Sequence, residues 1–157
     1  MDAEQPTYRM NGLGLTRLVL GEDHLLAGQP RNGYRERKIP LAMIDGFCVE
    51  PMSETARRRA ERMSAGFNGD FVLAFRDGDK RRVYRLASNL EDPAFQAVVA
   101  TLGRRRGDVD FTQLPPAEAL ARMQVTSSQK AGLWIAAAVL GGMGLIALVM
   151  WIMWRSR

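Results

Sequence analysis

An uncharged apolar stretch at 131–154 constrains this chain more than any other feature. Within it, the 21 residues of 133–153 include nine Leu, Ile or Val side chains. As a helix, this run would extend for roughly 31 Å, which is the thickness of the hydrocarbon core of a bilayer. At about −0.3 to −0.6 kcal/mol each, the nine side chains favour insertion by roughly 3–5 kcal/mol. The pattern predicts one transmembrane helix over 131–154, followed by a short tail at 155–157.

Aromatic and small residues within this stretch occupy positions that are typical of a membrane helix. Tryptophan rings, which prefer the headgroup region, lie near both ends; they are Trp134, Trp151 and Trp154. Small residues, which let two helices approach closely, recur at the spacing i, i+4, i+7; they are Ala137, Gly141 and Gly144. We expect this second set to pack against a membrane-protein partner or a second copy of the chain.

The N-terminal sequence indicates on which side of the membrane the rest of the chain lies. It carries acidic residues early and lacks the apolar segment of a secretory signal peptide. The single cysteine, Cys48, excludes an internal disulfide and fits a reducing compartment. We therefore expect a tail-anchored protein whose N-terminal domain is cytoplasmic.

The residues before the span are enough for one domain, and their patterning is that of an α+β fold. Short apolar runs bounded by turn residues predict six strands, at 15–20, 24–27, 34–39, 45–50, 71–75 and 82–86. Asp92 followed by Pro93 predicts the start of a helix that Gly103 ends. The apolar stripe of this helix, at the spacing i, i+3, i+4, i+7, consists of Phe95, Val98, Val99 and Leu102.

Composition changes along the chain suggest the following boundaries. We expect a flexible N-terminus at 1–12, a domain at 13–106 with a helical insertion at 53–66, a linker with a short helix at 107–130, and then the span. The insertion interrupts the strand pattern with a plausible N-cap at Ser53 and a helix-ending glycine at Gly66.

Three stretches of sequence carry a resemblance to a known family: TRLVLGEDHLLAG, RERKIPLAMIDGFCVEP, and GDFVLAFRDGDKRRVYRL with the helix from Pro93. Together they resemble a bacterial pleckstrin-homology-like (bPH) domain over roughly 13–104. The resemblance implies a bent antiparallel sheet or barrel that one C-terminal amphipathic helix caps. It also implies a location beside a transmembrane segment, here in a bacterial inner membrane, and it implies no catalytic residues.

Candidate catalytic and metal-binding residues are few. His24 has no patterned partner for general-base chemistry, and Cys48 lies in an apolar strand where a reactive thiol is not expected. No spacing of His, Cys or carboxylates is typical of a metal site, and no phosphate-binding loop occurs. The net charge of +5 is low for a nucleic-acid binder. We therefore expect no enzymatic activity, cofactor, metal or nucleic-acid partner.

Two arginine clusters are the remaining candidate binding residues. The first lies in the insertion and comprises Arg57, Arg58, Arg59 and Arg62; the second follows the amphipathic helix and comprises Arg104, Arg105 and Arg106. Near an anionic leaflet, each cation contributes on the order of 1 kcal/mol to binding. The leading hypothesis is a non-enzymatic adaptor, assembly factor or accessory subunit that holds a protein partner, and the alternative is a sensor of anionic lipid that uses the two clusters.

Replacing Gly141 and Gly144 together by Leu is expected to weaken association of the full-length protein in the membrane, because larger side chains keep two helices apart. Chemical crosslinking in membranes measures this association, and the melting curve of the soluble domain should not change. Crosslinking equal to that of the unsubstituted protein would show that this face is not an interface.

Overall fold

The computed structural model describes residues 6–10, 15–29, 33–62 and 66–125. The chain divides into two compact units, 1–123 and 124–157. Nearly all of the second unit lies outside the described residues, including the proposed span with its Trp, Ala and Gly positions. Among the residues that are described, no helix has the length and apolar character needed to cross a bilayer.

The first unit is an α+β fold. Its first sheet contains four antiparallel strands in sequence order: β1 (Thr7–Arg9), β2 (Arg17–Leu20), β3 (His24–Gln29) and β4 (Tyr34–Pro40). A single 3₁₀ turn (Leu41–Met43) leads to a second sheet of three strands: β5 (Ile44–Pro51), β6 (Gly69–Asp77) and β7 (Lys80–Ser88). The two sheets share no strand, so the described strands do not close into a barrel.

All six predicted strands are present, and the clearest of them forms the β6–β7 hairpin. Pairing in this hairpin continues from Gly69 opposite Ser88 to Asp77 opposite Lys80, so both strands are longer than predicted. The turn contains Gly78 with φ = 62°, a left-handed conformation that glycine adopts at little cost. Alternation places large apolar side chains on one face of β6, where Phe71 and Leu73 are fully buried.

The N-terminal segment corrects one expectation. We expected 1–12 to be flexible, but Thr7–Arg9 forms β1 and pairs with β2, with Tyr8 opposite Leu18. Tyr8 is 1% exposed, and its hydroxyl accepts a hydrogen bond of 2.9 Å from the backbone N–H of Asn89. A three-residue strand has too few positions to show a periodic pattern, so only the tertiary contacts of Tyr8 reveal it.

Three helices occur among the described residues: α1 (Glu54–Arg62), α2 (Pro93–Arg105) and α3 (Pro116–Arg122). The side chain of Asp92 caps α2 by accepting a hydrogen bond of 2.8 Å from the N–H of Ala94, as its sequence predicted. Phe95, Val98 and Leu102 on its apolar stripe are buried. Gly103 does not end the helix, which continues to Arg105.

Aromatic rings join α2 to both sheets in the core. The ring of Phe95 lies 5.3 Å from that of Tyr8 and 5.9 Å from that of Phe71, both edge to face, and Phe71 in turn contacts Phe47 at 6.2 Å. Such pairs stabilise a core beyond the area they bury. The helix therefore packs its apolar stripe against both sheets, as expected for a stripe that needs an apolar surface to cover.

Residues 107–123 belong to the folded unit, although we expected a linker there. The N–H of Phe111 donates a hydrogen bond of 3.0 Å to the carbonyl of Phe47 in β5. Ala119, Leu120 and Met123 on α3 and its C-terminal end are buried, and α3 packs against β5. A β-carbon at Gly46 would lie 2.9 Å from Cγ of Met123, so this glycine allows the close approach. The segment therefore covers the face of the second sheet that points away from the main core.

Replacing Phe95 by Ala is expected to lower the free energy of unfolding by roughly 3–5 kcal/mol, because the substitution opens a cavity where α2 meets both sheets. Chemical denaturation of the purified protein measures this change. The control is Ala97→Ser at an exposed position of the same helix, for which we expect about 0.5 kcal/mol or less. Equal effects of the two substitutions would show that α2 does not cap the core.

Candidate functional site

A cleft of about 520 Å³ lies between α2 and β5. Its apolar walls come from Val49, Leu90, Phe95, Val99 and Ala100. Polar side chains surround these walls, namely Gln96, Arg104, Asp110, Thr112 and Gln113. A largely apolar recess with a few polar groups around it is the usual form of a binding site in proteins.

β5 contributes an open strand edge to this cleft. One side of the strand pairs with β6, and on the other side the carbonyl of Phe47 accepts the hydrogen bond from Phe111. Successive backbone groups of a strand point to opposite sides, so those of Val49, two residues on, share the orientation of Phe47. The N–H and C=O of Val49 therefore lie on the edge that borders the cleft.

The loop after α2 forms the far wall and is held by its own hydrogen bonds. The carboxylate of Asp110 accepts from the N–H of Thr112 at 2.9 Å and from its hydroxyl at 2.6 Å. A β-carbon at Gly103 would collide with the carboxylate of Asp110. Gly103 thus serves the close approach of helix and loop, rather than the helix stop that its sequence suggested.

The three arginines after α2 have three different environments. Arg104 is exposed, lines the cleft, and donates to the hydroxyl of Thr101 at 2.8 Å. Arg105 donates to the backbone carbonyls of Gly21 and Glu22, in the turn between β2 and β3. The structure therefore does not present the predicted cluster as one group of free cations.

Arg106 makes the most contacts of the three. Its guanidinium donates to the carbonyls of Leu41 and Ile44, and it pairs with the carboxylate of Asp108 at 2.8 Å. This hydrogen bond raises the pKa of Arg106 and lowers the pKa of Asp108. A lowered carboxyl pKa stabilises the fold at neutral pH, and this stabilisation is lost as the pH falls through the folded-state value. Arg106 thus joins α2, the 3₁₀ turn and β5.

The arginines of α1 lie on an exposed helix and are partly paired. Arg57 contacts Glu54 at 3.0 Å and Glu61 at 3.8 Å, and Arg58 contacts Glu54 at 3.1 Å. Exposed pairs at this spacing contribute about 0.3–0.5 kcal/mol each. Among the residues that the structure describes, Arg59 and Arg62 have no ion pair.

The two residues considered for catalysis are held in separate places. Burial raises the pKa of the Cys48 thiol to about 12, so this side chain is neutral at physiological pH. His24 begins β3, and its Nδ1 lies 2.6 Å from the carboxylate of the adjacent Asp23 in an exposed turn. The described part of the chain brings together no three His, Cys, Asp or Glu side chains that could hold a metal ion.

The cleft was not predicted from the sequence. Val99 belongs to the predicted apolar stripe, and the structure leaves its side chain half-buried at the cleft. Comparison of the chain with protein-family models, with curated proteins and with solved structures finds no match in any of the three. The function proposed below therefore depends on the geometry of this chain itself.

Replacing Arg106 by Ala is expected to lower the free energy of unfolding by about 1–3 kcal/mol, because buried carbonyls lose a charged donor. The matched control is Arg104→Ala in the same arginine run, for which we expect a change below about 0.5 kcal/mol. Thermal and denaturant unfolding of the two variants measure the difference. Equal stabilities would show that Arg106 is ordinary surface charge.

Proposed function

We propose that this protein is a non-enzymatic membrane adaptor whose PH-like domain binds an extended segment of a protein partner in the cleft between α2 and β5. The observation that carries the proposal is the open edge of β5 beside a largely apolar cleft. An extended peptide can add to such an edge as a further strand, with backbone hydrogen bonds for affinity and side-chain pockets for specificity.

The arrangement of elements supports a PH-like domain. Seven antiparallel strands form two sheets in sequence order, and the amphipathic helix α2 buries its apolar stripe in the core. The resemblance of 13–104 implies a bent antiparallel sheet with such a C-terminal helix, although β1 precedes that range. The additional segment 107–123 lies beyond that resemblance and forms one wall of the cleft.

The chain itself illustrates the proposed mode of binding. Asp110 forms a parallel β-bridge with Phe47, so part of the β5 edge already accepts an extended segment. A partner would use the adjoining part of this edge at Val49 and place an apolar side chain against Val99 and Leu90. Arg104 at the rim favours a partner segment that carries a carboxylate.

The predicted span at 131–154 would hold the domain at a bacterial inner membrane, with the domain in the cytoplasm. Tethering raises the effective concentration of the cleft near a partner in the same membrane, so a weak peptide contact suffices. The small-residue face at 137, 141 and 144 would add a second contact within the bilayer.

The alternative function, a lipid sensor that uses both arginine clusters, has less support. Arg57 and Arg58 are engaged by Glu54, and Arg105 and Arg106 donate to backbone carbonyls. Among the described residues, three arginines of the clusters have neither an ion pair nor a hydrogen bond to a backbone carbonyl. They are Arg59, Arg62 and Arg104. The adaptor function uses the cleft and, from the two clusters, only Arg104 at its rim.

The test uses the purified full-length protein in detergent and a phage-displayed library of random linear peptides. Selected peptides are expected to be apolar with an acidic residue and to bind with micromolar Kd. Ala100→Trp, which fills the cleft, is expected to weaken their binding at least about tenfold. The same substitution at Ala97, which is exposed on α2 and does not line the cleft, should leave binding unchanged.

A second measurement tests the strand-addition geometry. Methylating alternate backbone nitrogens of a selected peptide should abolish binding in one register and spare it in the other, because only every second N–H of an added strand faces β5. Peptides that bind Ala100→Trp as tightly as the unsubstituted protein would exclude the cleft as the binding site.

A further inference from the structure

We infer that one end of the domain, the hairpin end, lies against an anionic lipid surface and inserts Met43 into its headgroup region. The hairpin end comprises residues 37–45 and 76–82, which are the end of β4, the 3₁₀ turn, the start of β5 and the β6–β7 turn. The inference rests on the membrane anchor of the proposed function. It places the lipid contact at the opposite end of β5 from the arginine cluster of α1.

The chain leaves the folded unit beside the hairpin end. The carbonyl of Met123 accepts a hydrogen bond from the guanidinium of Arg81, and the side chain of Met123 packs beside Gly46. Asp45, next to Gly46, lies 3.2 Å from Arg76 and 3.8 Å from Arg81. The exit of the chain at Met123 is therefore fixed beside the hairpin end.

The length of chain after this exit is short. Seven residues, 124–130, separate Met123 from the proposed span at 131–154. Fully extended, they would reach at most about 25 Å. The tether to the proposed span is therefore short and begins beside the hairpin end.

The hairpin end also carries an exposed apolar side chain. Met43 is 47% exposed and is the only exposed large hydrophobic residue among those the structure describes. It borders a recess of about 400 Å³ together with Arg37, Lys38 and Arg76. Asp77 also lines this recess and pairs with Arg37. A flexible apolar side chain near basic side chains matches the boundary between headgroups and acyl chains.

The charge of the hairpin end is positive. The hairpin end carries six basic and three acidic residues. Asp77 contacts both Arg37 at 2.7 Å and Arg82 at 2.6 Å, and Asp45 contacts two further arginines. Within the described part of the chain, Lys38 and Lys80 have no ion pair, so their ammonium groups remain for lipid phosphates. The surface is therefore complementary to an anionic leaflet.

The α1 cluster lies far from the chain exit and has no exposed large apolar side chain among the described residues beside it. It follows the C-terminal end of β5, whereas the hairpin end lies at the other end of the same strand. The eight residues of β5 span roughly 27 Å, so α1 lies well away from the exit at Met123. α1 also has no exposed large apolar side chain among its described residues. It therefore supplies a matched comparison site.

The experiment uses the full-length protein in lipid nanodiscs of phosphatidylglycerol or of phosphatidylcholine. In a Cys48→Ala background, an environment-sensitive fluorophore is attached at Met43→Cys or, as the control, at Arg59→Cys. We expect spin-labelled lipid to quench the fluorophore at 43 in phosphatidylglycerol discs and to leave the fluorophore at 59 unquenched. Circular dichroism spectra of the labelled proteins establish that each one is folded.

Charge is tested separately by adding Lys38→Ala and Lys80→Ala to the variant labelled at 43. The ratio of docked to undocked label should fall by more than about tenfold, since each lysine near an anionic surface is worth roughly a fivefold factor. Arg59→Ala with Arg62→Ala, the matched pair on α1, should leave this ratio unchanged. Raising the salt concentration should also release the label.

The outcomes separate this inference from the proposed function. Protein that enters the discs but shows equal quenching at 43 and 59 overturns the inference and leaves the anchor standing. Protein that does not associate with lipid at all overturns the anchor and, with it, this orientation. Loss of docking in the α1 pair, but not in the lysine pair, would assign the lipid contact to the arginine cluster instead.

Discussion

The contact of Phe95 with both Tyr8 and Phe71 is the interaction on which the rest of the fold depends. It joins a strand near the N-terminus, the central strand of the second sheet and the capping helix. The buried side chains of α2 share one core with those of both sheets, and this packing removes their apolar surface from water. Because α2 is held in this way, its other side is fixed relative to β5, and the cleft between them has a defined shape.

The arginine run at 104–106 shows how one charged sequence serves different purposes. At a helix end, successive side chains point in directions about 100° apart, so neighbours in sequence meet different surroundings. Arg105 and Arg106 donate to backbone carbonyls of the β2–β3 turn, the 3₁₀ turn and β5, while Arg104 lines the cleft. A guanidinium is suited to this role because it has several donors in a fixed plane. Charge density in a sequence therefore says little about which cations are available to a ligand.

The segment 107–123 links the fold to the proposed function. It pairs with part of the β5 edge, covers the outer face of the second sheet with α3, and fixes the exit of the chain beside the β6–β7 turn. The same packing leaves the stretch of the β5 edge at Val49 open beside the cleft. This arrangement depends on the buried side chain of Met123 and on the backbone hydrogen bond of Phe111 rather than on exposed charges.

The sequence by itself determined the local elements: six strands from alternation and turns, and α2 from its cap and apolar stripe, because hydrophobic period and capping chemistry act over a few residues. The apolar run at 131–154 also predicts a transmembrane helix, and this run lies outside the described residues. Only the tertiary structure decided the rest. The strand at Tyr8, the packing of 107–123 and the division of the arginines depend on contacts between residues far apart in sequence. The cleft has the same origin, since its walls come from β5, α2 and the following loop, which only folding brings together.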